Sequence, residues 1–159
     1  MKMLVSACLL GSPVRYDGAA KPLDQISLHA MVTAGRVIGF CPEVAGGLAV
    51  PRKPAEIQSG NGDDVVEGRS RVVTIDGDDV TDYFLSGAKQ ALELCRQHDI
   101  SVAVLTECSP SCGSSQIYDG NFDRNAIAGS GVTAALLQRN GIRVFNQYQV
   151  DEAIRCLPA

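Results

Sequence analysis

The stretch SVAVLTECSPSCGSS, residues 101–115, begins with a short apolar run and continues into two cysteines among serines. A short apolar run bounded by polar residues is typical of a strand that is buried on both faces of a sheet. We therefore predict a central strand over 101–106, with Cys108 and Cys112 just beyond its carboxyl end. Ligands of open α/β sheets bind at that edge, so the stretch predicts both the core of the fold and a functional loop.

Outward from this strand, short apolar runs alternate with segments of helical periodicity. The predicted strands are 2–7, 36–40 and 142–146, and the predicted helices are 23–34, 79–97 (with Thr81 as N-cap), 131–140 and 147–156. This alternation predicts a single α/β domain over 1–159, a three-layer sandwich with a mostly parallel sheet and helices on both faces. Residues 42–64 are rich in Pro and Gly and are expected to be an ordered functional loop. Residues 65–80 are expected to form a hairpin or strand pair, with a turn at Asp76–Gly77.

The net charge of −4 disfavours binding to DNA or to an anionic membrane. No apolar run reaches the length of a membrane span, and the first residues lack the long apolar region of a signal peptide. We therefore expect a cytoplasmic protein. The oligomeric state does not follow from the sequence.

Six cysteines, at 8, 41, 95, 108, 112 and 156, are many for a reducing compartment, where they favour metal binding or catalysis over disulfides. Cys95 and Cys156 fall in helices and are interpreted as structural thiols. Cys8, Cys41 and the pair Cys108/Cys112 follow three different predicted strands, so they are expected at the same edge of the sheet. Scattered single cysteines suit an iron–sulfur cluster better than a zinc site, which usually uses paired ligands.

Two rival interpretations remain open at this point. A non-catalytic iron–sulfur or zinc module would use Cys108 as a fourth ligand. A metal-free thiol enzyme would use Cys112 as its nucleophile.

Five segments resemble a known family. They are SACLLGSPVRYDG (6–18), CPEVAGGLAVPRKPAEI (41–57), DVTDYFLSGAKQAL (79–92), SPSCGSSQIYDGNF (109–122) and GSGVTAALLQRNGIRVF (129–145). They are similar to the thiouracil and 4-thiouridine monophosphate desulfidases, formerly a domain of unknown function. The resemblance implies a Rossmann-like fold and a 4Fe-4S cluster held by Cys8, Cys41 and Cys112. It also implies a small thiopyrimidine or its nucleotide as substrate.

The implied reaction is non-redox hydrolysis at the iron that has no protein ligand. Matched motif by motif, Glu43 is the expected base that activates water, and Ser109 is expected to hydrogen-bond the ring or relay a proton. Cys108 is expected to be incidental, and Thr106 stands where the family usually has Lys. The candidate phosphate contacts are Arg15, Arg52, Gly113, Ser114 and Ser115. For the two arginines, a salt bridge that closes a loop is an equal alternative.

Overall fold

The computed structural model describes residues 1–159. The strands are β1 (Met3–Ser6), β2 (Val37–Phe40), β3 (Ala55–Gln58), β4 (Arg71–Thr74), β5 (Val102–Val104), β6 (Gln116–Tyr118), β7 (Ala126–Ala128) and β8 (Arg143–Phe145). The helices are α1 (Ile26–Thr33), α2 (Pro42–Ala45), α3 (Gly62–Val66), α4 (Thr81–Gln97), α5 (Val132–Arg139) and α6 (Val150–Arg155). A 3₁₀ turn, Ala7–Leu10, follows β1 directly.

Four strands form a parallel sheet in the order β2-β1-β5-β8. Successive residues of a strand point to opposite faces, and both faces are buried here. Met3 and Val5 of β1 belong to a core with α1 and α6, whereas Leu4 belongs to a core with α4 and α5. The predicted α/β architecture, with helices on both faces of a parallel sheet, is therefore confirmed.

The segment 42–64 is not the continuous loop that its Pro and Gly content predicted. It contains α2, β3 and α3. Helix α3 is short, but it begins with a complete capping box between Asn61 and Asp64, which satisfies backbone donors at its first turn. Proline and glycine therefore lie at the ends of short helices in this segment and between its short elements.

The predicted hairpin over 65–80 is only partly correct. Within the predicted segment, Val73 of β4 forms an antiparallel bridge with Asp79 around the turn at Asp76–Gly77. The longer antiparallel partner of β4 is β3, which lies before the predicted segment. The hairpin β6–β7 was not predicted, because each of its strands has only three residues.

The start of α4 also differs from the prediction. Thr81 is its first residue, and the N-cap position is Val80, which makes no side-chain capping bond. The carboxylate of Asp79 accepts hydrogen bonds from the Thr81 backbone N–H and hydroxyl. A carboxylate near a helix N-terminus is stabilising, so Asp79 performs the role assigned to Thr81. None of the helices has the length and apolar character that crossing a bilayer requires.

Candidate active site

A cavity of about 480 Å³ opens at the carboxyl edge of the sheet. Ser6 at the end of β1, Phe40 at the end of β2 and Thr106 after β5 all line it. Cys8, Cys41, Cys108 and Cys112 line it too. The parallel order of the three strands explains this meeting, since it brings the residues that follow each strand to one edge.

Cys8 lies in the 3₁₀ turn directly after β1 and is only 8% exposed. Its Sγ lies 3.0 Å from the Oγ1 of Thr106, which follows the neighbouring strand β5. The backbone N–H of Thr106 in turn donates to the Ser6 hydroxyl at 3.0 Å. Hydrogen bonds between two adjacent strand ends therefore hold the first thiol in position.

Cys41 occupies the N-cap of α2, and its half-buried thiol lies 4.0 Å from the carbonyl oxygen of Val14. Burial raises the pKa of this thiol, and the charge of Glu43 raises it further. Without a metal, such a thiol stays protonated at neutral pH.

Cys112 is the most deeply buried of the three predicted ligands. Burial raises the pKa of its thiol to about 12, although a hydrogen bond from Ser111 opposes the shift. The Ser111 hydroxyl lies 3.5 Å from the sulfur, and the Ser109 hydroxyl accepts the Cys112 backbone N–H at 3.1 Å. A buried thiol that is protonated at neutral pH is a poor nucleophile, which argues against the metal-free alternative.

Glu43 lies in the first turn of α2, beside Cys41, and its two carboxylate oxygens have different partners. Oε1 pairs with the Nε of Arg52 at 3.1 Å. Oε2 accepts a hydrogen bond from the Ser111 hydroxyl at 2.9 Å and a longer one from Ser109 at 3.4 Å. The hydroxyl oxygens of Ser109 and Ser111 lie 2.9 Å apart. The base and the serine expected from the resemblance therefore share one hydrogen-bond network.

Ser111 was not predicted as a functional residue, although it connects the other two. It is 1% exposed and bridges Ser109, Glu43 and the sulfur of Cys112. A signal was available, because Ser111 directly precedes a predicted ligand within the motif SPSCG. The fact that its hydroxyl points toward Glu43, 68 positions earlier, is a tertiary feature.

Arg52 lines the cavity, and each of its three guanidinium nitrogens already has a partner in the protein. Besides the ion pair with Glu43, it donates to the backbone carbonyls of Ala49 and Val14 at 3.2 Å and 3.0 Å. This is the loop-closing salt bridge that the sequence left as an alternative to phosphate binding. Its guanidinium therefore holds Glu43 in place.

The backbone amides proposed as a phosphate site are also occupied. The N–H groups of Ser114, Ser115 and Gln116 all donate to Glu107 Oε1 at 3.0, 3.1 and 2.9 Å. The N–H of Gly113 donates to the carbonyl of Ser109, and none of residues 113–115 lines the cavity. We therefore correct the assignment of Gly113, Ser114 and Ser115 as phosphate contacts. The Glu107 carboxylate already accepts the N–H groups of Ser114 and Ser115, and the Ser109 carbonyl accepts that of Gly113.

The pKa of the Glu107 carboxyl group lies well below its ordinary value. Burial raises its pKa, but the N–H groups of Gln116 and Ser115, with the Ser115 hydroxyl and the Asn146 amide, outweigh burial and lower the pKa to about 2. The carboxylate is therefore ionised throughout the physiological range, and it stabilises the turn that follows Cys112.

Three cations of the cavity have no carboxylate partner. Arg15, Lys21 and Arg124 line it, and none of them forms an ion pair. Arg15 thus remains available to an anion, as the sequence proposed, whereas Lys21 and Arg124 were missed. Lys21 also acts on Cys108, where its charge partly offsets the rise in the thiol pKa caused by burial and by Glu107.

Cys95 and Cys156 do not line the cavity. Cys95 lies on the buried face of α4 and packs in the core, where burial raises its thiol pKa to about 11. Cys156 packs against the core on the opposite face of the sheet. Both positions suit the structural role expected for them.

Residues 3–149 match the family model described as 2-thiouracil desulfurase. The chain belongs to this family. Membership confirms the resemblance carried by the five sequence segments, and with it the prediction of an enzyme. A relative of similar length, the uncharacterized protein YbbK of Bacillus subtilis (strain 168), is 41% identical over 152 residues, covering 96% of this chain and 99% of that protein.

A solved structure of the family is similar throughout. The 4Fe-4S-dependent thiouracil desulfidase TudS matches with a TM-score of 0.89 and 49% sequence identity. The match covers 97% of this chain and 95% of that chain.

Proposed function

We propose that this protein is an iron–sulfur-dependent desulfidase that removes sulfur from a thiolated pyrimidine by hydrolysis without net redox chemistry. The main support for this proposal is that one cavity is lined by Cys8, Cys41 and Cys112 together with Glu43 and Ser109. The similarity to a 4Fe-4S-dependent thiouracil desulfidase supports both the reaction and the cofactor.

The donor set fits such a cluster. No three His, Cys, Asp or Glu side chains lie close enough together to bind a single metal ion. An iron–sulfur cluster is several atoms across and spreads its thiolates wider than one ion does. Three thiols around a cavity of about 480 Å³ leave space for a cluster and a flat heterocycle, and Cys8, Cys41 and Cys112 are the proposed ligands.

When bound, the cluster supplies a Lewis-acidic iron without a protein ligand, which suits the soft sulfur of a thiocarbonyl. The rest of the reaction needs a water molecule that attacks the ring carbon and a group that accepts its proton. The C–S bond then breaks, the sulfur leaves as sulfide, and the ring carbon keeps the oxygen as a carbonyl. Glu43 is placed for this role, because Arg52 holds one of its oxygens and the serine hydroxyls hold the other.

Ser109 and Ser111 hold the second oxygen of Glu43 through their hydroxyl groups. Ser111 has one proton and donates it to Glu43 at 2.9 Å, whereas the contact of Ser109 with the same oxygen is longer, at 3.4 Å. The Ser109 proton can therefore turn from Glu43 to Ser111 or to a ligand. We assign Ser109 to hydrogen bonding with the substrate or its water. Ser111, which hydrogen-bonds to both, fixes the positions of Ser109 and Glu43 relative to each other.

The unpaired cations of the cavity favour a substrate that carries negative charge. Arg15, Lys21 and Arg124 have no carboxylate partner. Of the three carboxylates that line the cavity, Glu43 is paired with Arg52, Glu107 is saturated by donors, and Glu56 accepts two backbone N–H groups. A thionucleotide such as 4-thiouridine monophosphate would place its phosphate among these cations. Free thiouracil would use only the inner part of the cavity.

The test is a metal and activity assay on protein purified without oxygen. Iron, acid-labile sulfide and the absorption spectrum are measured first, followed by turnover of 4-thiouracil and of 4-thiouridine monophosphate. We expect about four irons per chain for a 4Fe-4S cluster, and faster turnover of the nucleotide at low concentration. Cys95→Ala, a buried thiol outside the cavity, is the matched control and should keep full iron content. A cluster-loaded protein that releases no sulfide from either compound would overturn the proposal.

A further inference from the structure

The turn of residues 119–125 joins β6 to β7 and forms one wall of the cavity. Phe122 and Arg124, both on this turn, line the cavity. Their φ angles are 57° and 61°, a left-handed conformation that bulky residues rarely adopt. Such backbone persists only where surrounding contacts determine it.

Those contacts come from β3. Glu56 is 8% exposed, and its Oε1 accepts the backbone N–H groups of Gly120 at 2.9 Å and Phe122 at 3.2 Å. From the same strand, the Gln58 side chain donates to the Gly120 carbonyl at 2.9 Å. Gly120 also sits so close to β3 that a Cβ there would lie 2.7 Å from the carbonyl oxygen of Ile57. The turn is therefore held from one strand by side chains and by close backbone approach.

Glu56 has no basic partner, and no ion pair in the protein involves it. Burying an unpaired carboxylate is unfavourable unless hydrogen bonds compensate. The compensating donors here are the two N–H groups of the turn. Glu56 also lines the cavity, but it lies outside the hydrogen-bond network of Glu43 and Ser109, and its Oε1 is directed to the turn.

The turn is also braced internally. The Asp119 backbone N–H donates to the Asn125 carbonyl at 3.0 Å, and the Asn125 side chain donates to the Asp119 carboxylate at 3.0 Å. Asp119 and Asp123 further accept backbone N–H groups within the turn. The acidic groups nearest to Arg124 in sequence are thus used locally, and Arg124 forms no ion pair with them.

We propose that the turn 119–125 selects the substrate, with Phe122 covering the pyrimidine ring and Arg124 contacting an anionic substituent, and that Glu56 is the positioning residue that holds this turn against β3. This inference rests on the proposed desulfidase function. An aromatic face stacks well on a heterocyclic base, and a guanidinium forms paired hydrogen bonds with a phosphate. Because both side chains depend on the backbone of one turn, loss of the Glu56 bonds should weaken both contacts.

The first test compares Glu56→Ala with Glu56→Gln. Glutamine keeps a carbonyl oxygen that can accept the same two N–H groups, whereas alanine removes it. We expect Glu56→Ala to raise the KM for 4-thiouridine monophosphate by about tenfold, the worth of roughly 1.4 kcal/mol. Its kcat and iron content should stay near those of the parent, and Glu56→Gln should restore most of the KM. A glutamine variant as impaired as alanine, or an unchanged KM in the alanine variant, would overturn the positioning role.

The second test does not depend on turnover. The chain contains no tryptophan and four tyrosines, so Phe122→Trp introduces the only tryptophan, at the proposed stacking position, and its emission can be excited selectively. Titration with uridine monophosphate, the expected product, should quench this fluorescence in the cluster-loaded protein. Adding Glu56→Ala should weaken that binding by about tenfold, in parallel with the KM. Absence of quenching by the nucleotide in the Phe122→Trp protein would show that the turn does not contact the ring.

The third test separates the two contacts. Arg124→Gln should raise the KM for the thionucleotide by about tenfold and leave the KM for free 4-thiouracil unchanged. Phe122→Ala should raise the KM for both. The matched control is Arg155→Gln, which removes the same charge at an exposed residue of α6 outside the cavity. Equal effects of Arg124→Gln and Arg155→Gln would overturn the specific role of Arg124.

These outcomes differ from failure of the proposed function. If a loaded protein released no sulfide, the desulfidase assignment would fail, while the fluorescence titration would still decide whether the turn binds the nucleotide. If Glu56→Ala failed to fold, Arg124→Gln and Phe122→Ala would test the turn on an intact β3.

Discussion

Glu43 combines two interactions that a general base needs. The guanidinium of Arg52, with an 8% exposed side chain, pairs with one oxygen, and two serine hydroxyls orient the other. None of these three partners, Arg52, Ser109 and Ser111, is a predicted ligand of the cluster. The base and the thiols are therefore adjacent but can be altered separately.

Replacing Glu43 with glutamine removes the basic oxygen and keeps the shape of the side chain. We expect turnover to fall by roughly two to four powers of ten, the usual contribution of a positioned general base. Iron content should be unchanged, because the three thiols are untouched. Desulfidation rate, iron content and melting temperature are measured on the same protein. A loaded variant with near-normal turnover would contradict the assignment of Glu43, whereas a lower melting temperature with normal turnover would assign it to the ion pair with Arg52.

Cys108 is the residue that distinguishes a three-thiol centre from a four-thiol module, because its thiol lines the same cavity. We expect Cys108→Ala to retain iron and activity, since three thiols suffice. Cys8→Ser should abolish iron binding. Iron and sulfide analysis of both variants, prepared without oxygen, checks this prediction. Loss of iron in Cys108→Ala would favour the non-catalytic module.

At the scale of elements, the position of α2 depends on direct backbone contact with α4. A Cβ built at Gly87 of α4 would collide with the backbone carbonyl of Pro42, and one built at Gly46 would collide with that of Tyr83. Helix α2 carries Glu43 in its first turn and Cys41 at its N-cap. Two glycines thus set the distance between a long helix and the segment that bears Cys41 and Glu43.

Gly87→Ala tests this contact. In an ordinary helix interior the change would stabilise the protein by up to about 1 kcal/mol. Here the methyl group must push α2 away, and we expect a loss of roughly 1–3 kcal/mol. The displacement should also lower iron retention and turnover. Urea unfolding measures the stability, with Lys89→Ala on the exposed side of the same helix as control. A stabilised and fully active Gly87→Ala variant would refute the close-contact explanation.

The principal elements of the fold could be predicted from apolar runs, because four strands and their flanking helices bury both faces of one sheet. Short elements could not, since β6 and β7 have three residues each and α3 depends on the capping box of Asn61 and Asp64. In the site, the thiols follow from strand ends and the family motifs. The role of Ser111, the pairing of Arg52 and the occupation of the 114–116 amides by Glu107 depend on side-chain directions that sequence spacing does not contain.

At the scale of the whole molecule, Glu107 connects three parts of the fold. It follows β5, its carboxylate accepts the N–H groups of 114–116, and it also accepts the Asn146 side-chain amide beyond β8 at 2.9 Å. The Glu107 backbone N–H donates to the Gln147 side chain at 2.9 Å. One carboxylate therefore links the loop that bears Cys112 to the last strand of the sheet.

The lowered pKa of Glu107 predicts a pH dependence of stability. Because folding lowers this pKa from 4.5 to about 2, the contribution is complete above pH 4.5 and is lost as the pH falls toward 2. We expect Glu107→Gln to reduce the free energy of unfolding by roughly 1–2 kcal/mol at neutral pH. Urea unfolding of both proteins from pH 7 to pH 3 should show this difference shrinking below pH 4.5. A difference that is constant over that range would refute the role of the charge.

The hairpin β6–β7 pairs with itself and not with the four-stranded sheet. Side chains on its turn can therefore change without altering the register of β1, β2 or β5, the strands that precede the cysteines of the cavity. Surface connections of this kind tolerate insertion and substitution better than the elements they join. Across evolution, the hairpin offers a place where relatives can diverge in the compound they accept while inheriting the same chemistry. For enzyme engineering, it is the segment to graft or randomise when a desulfidase is wanted for a new heterocycle.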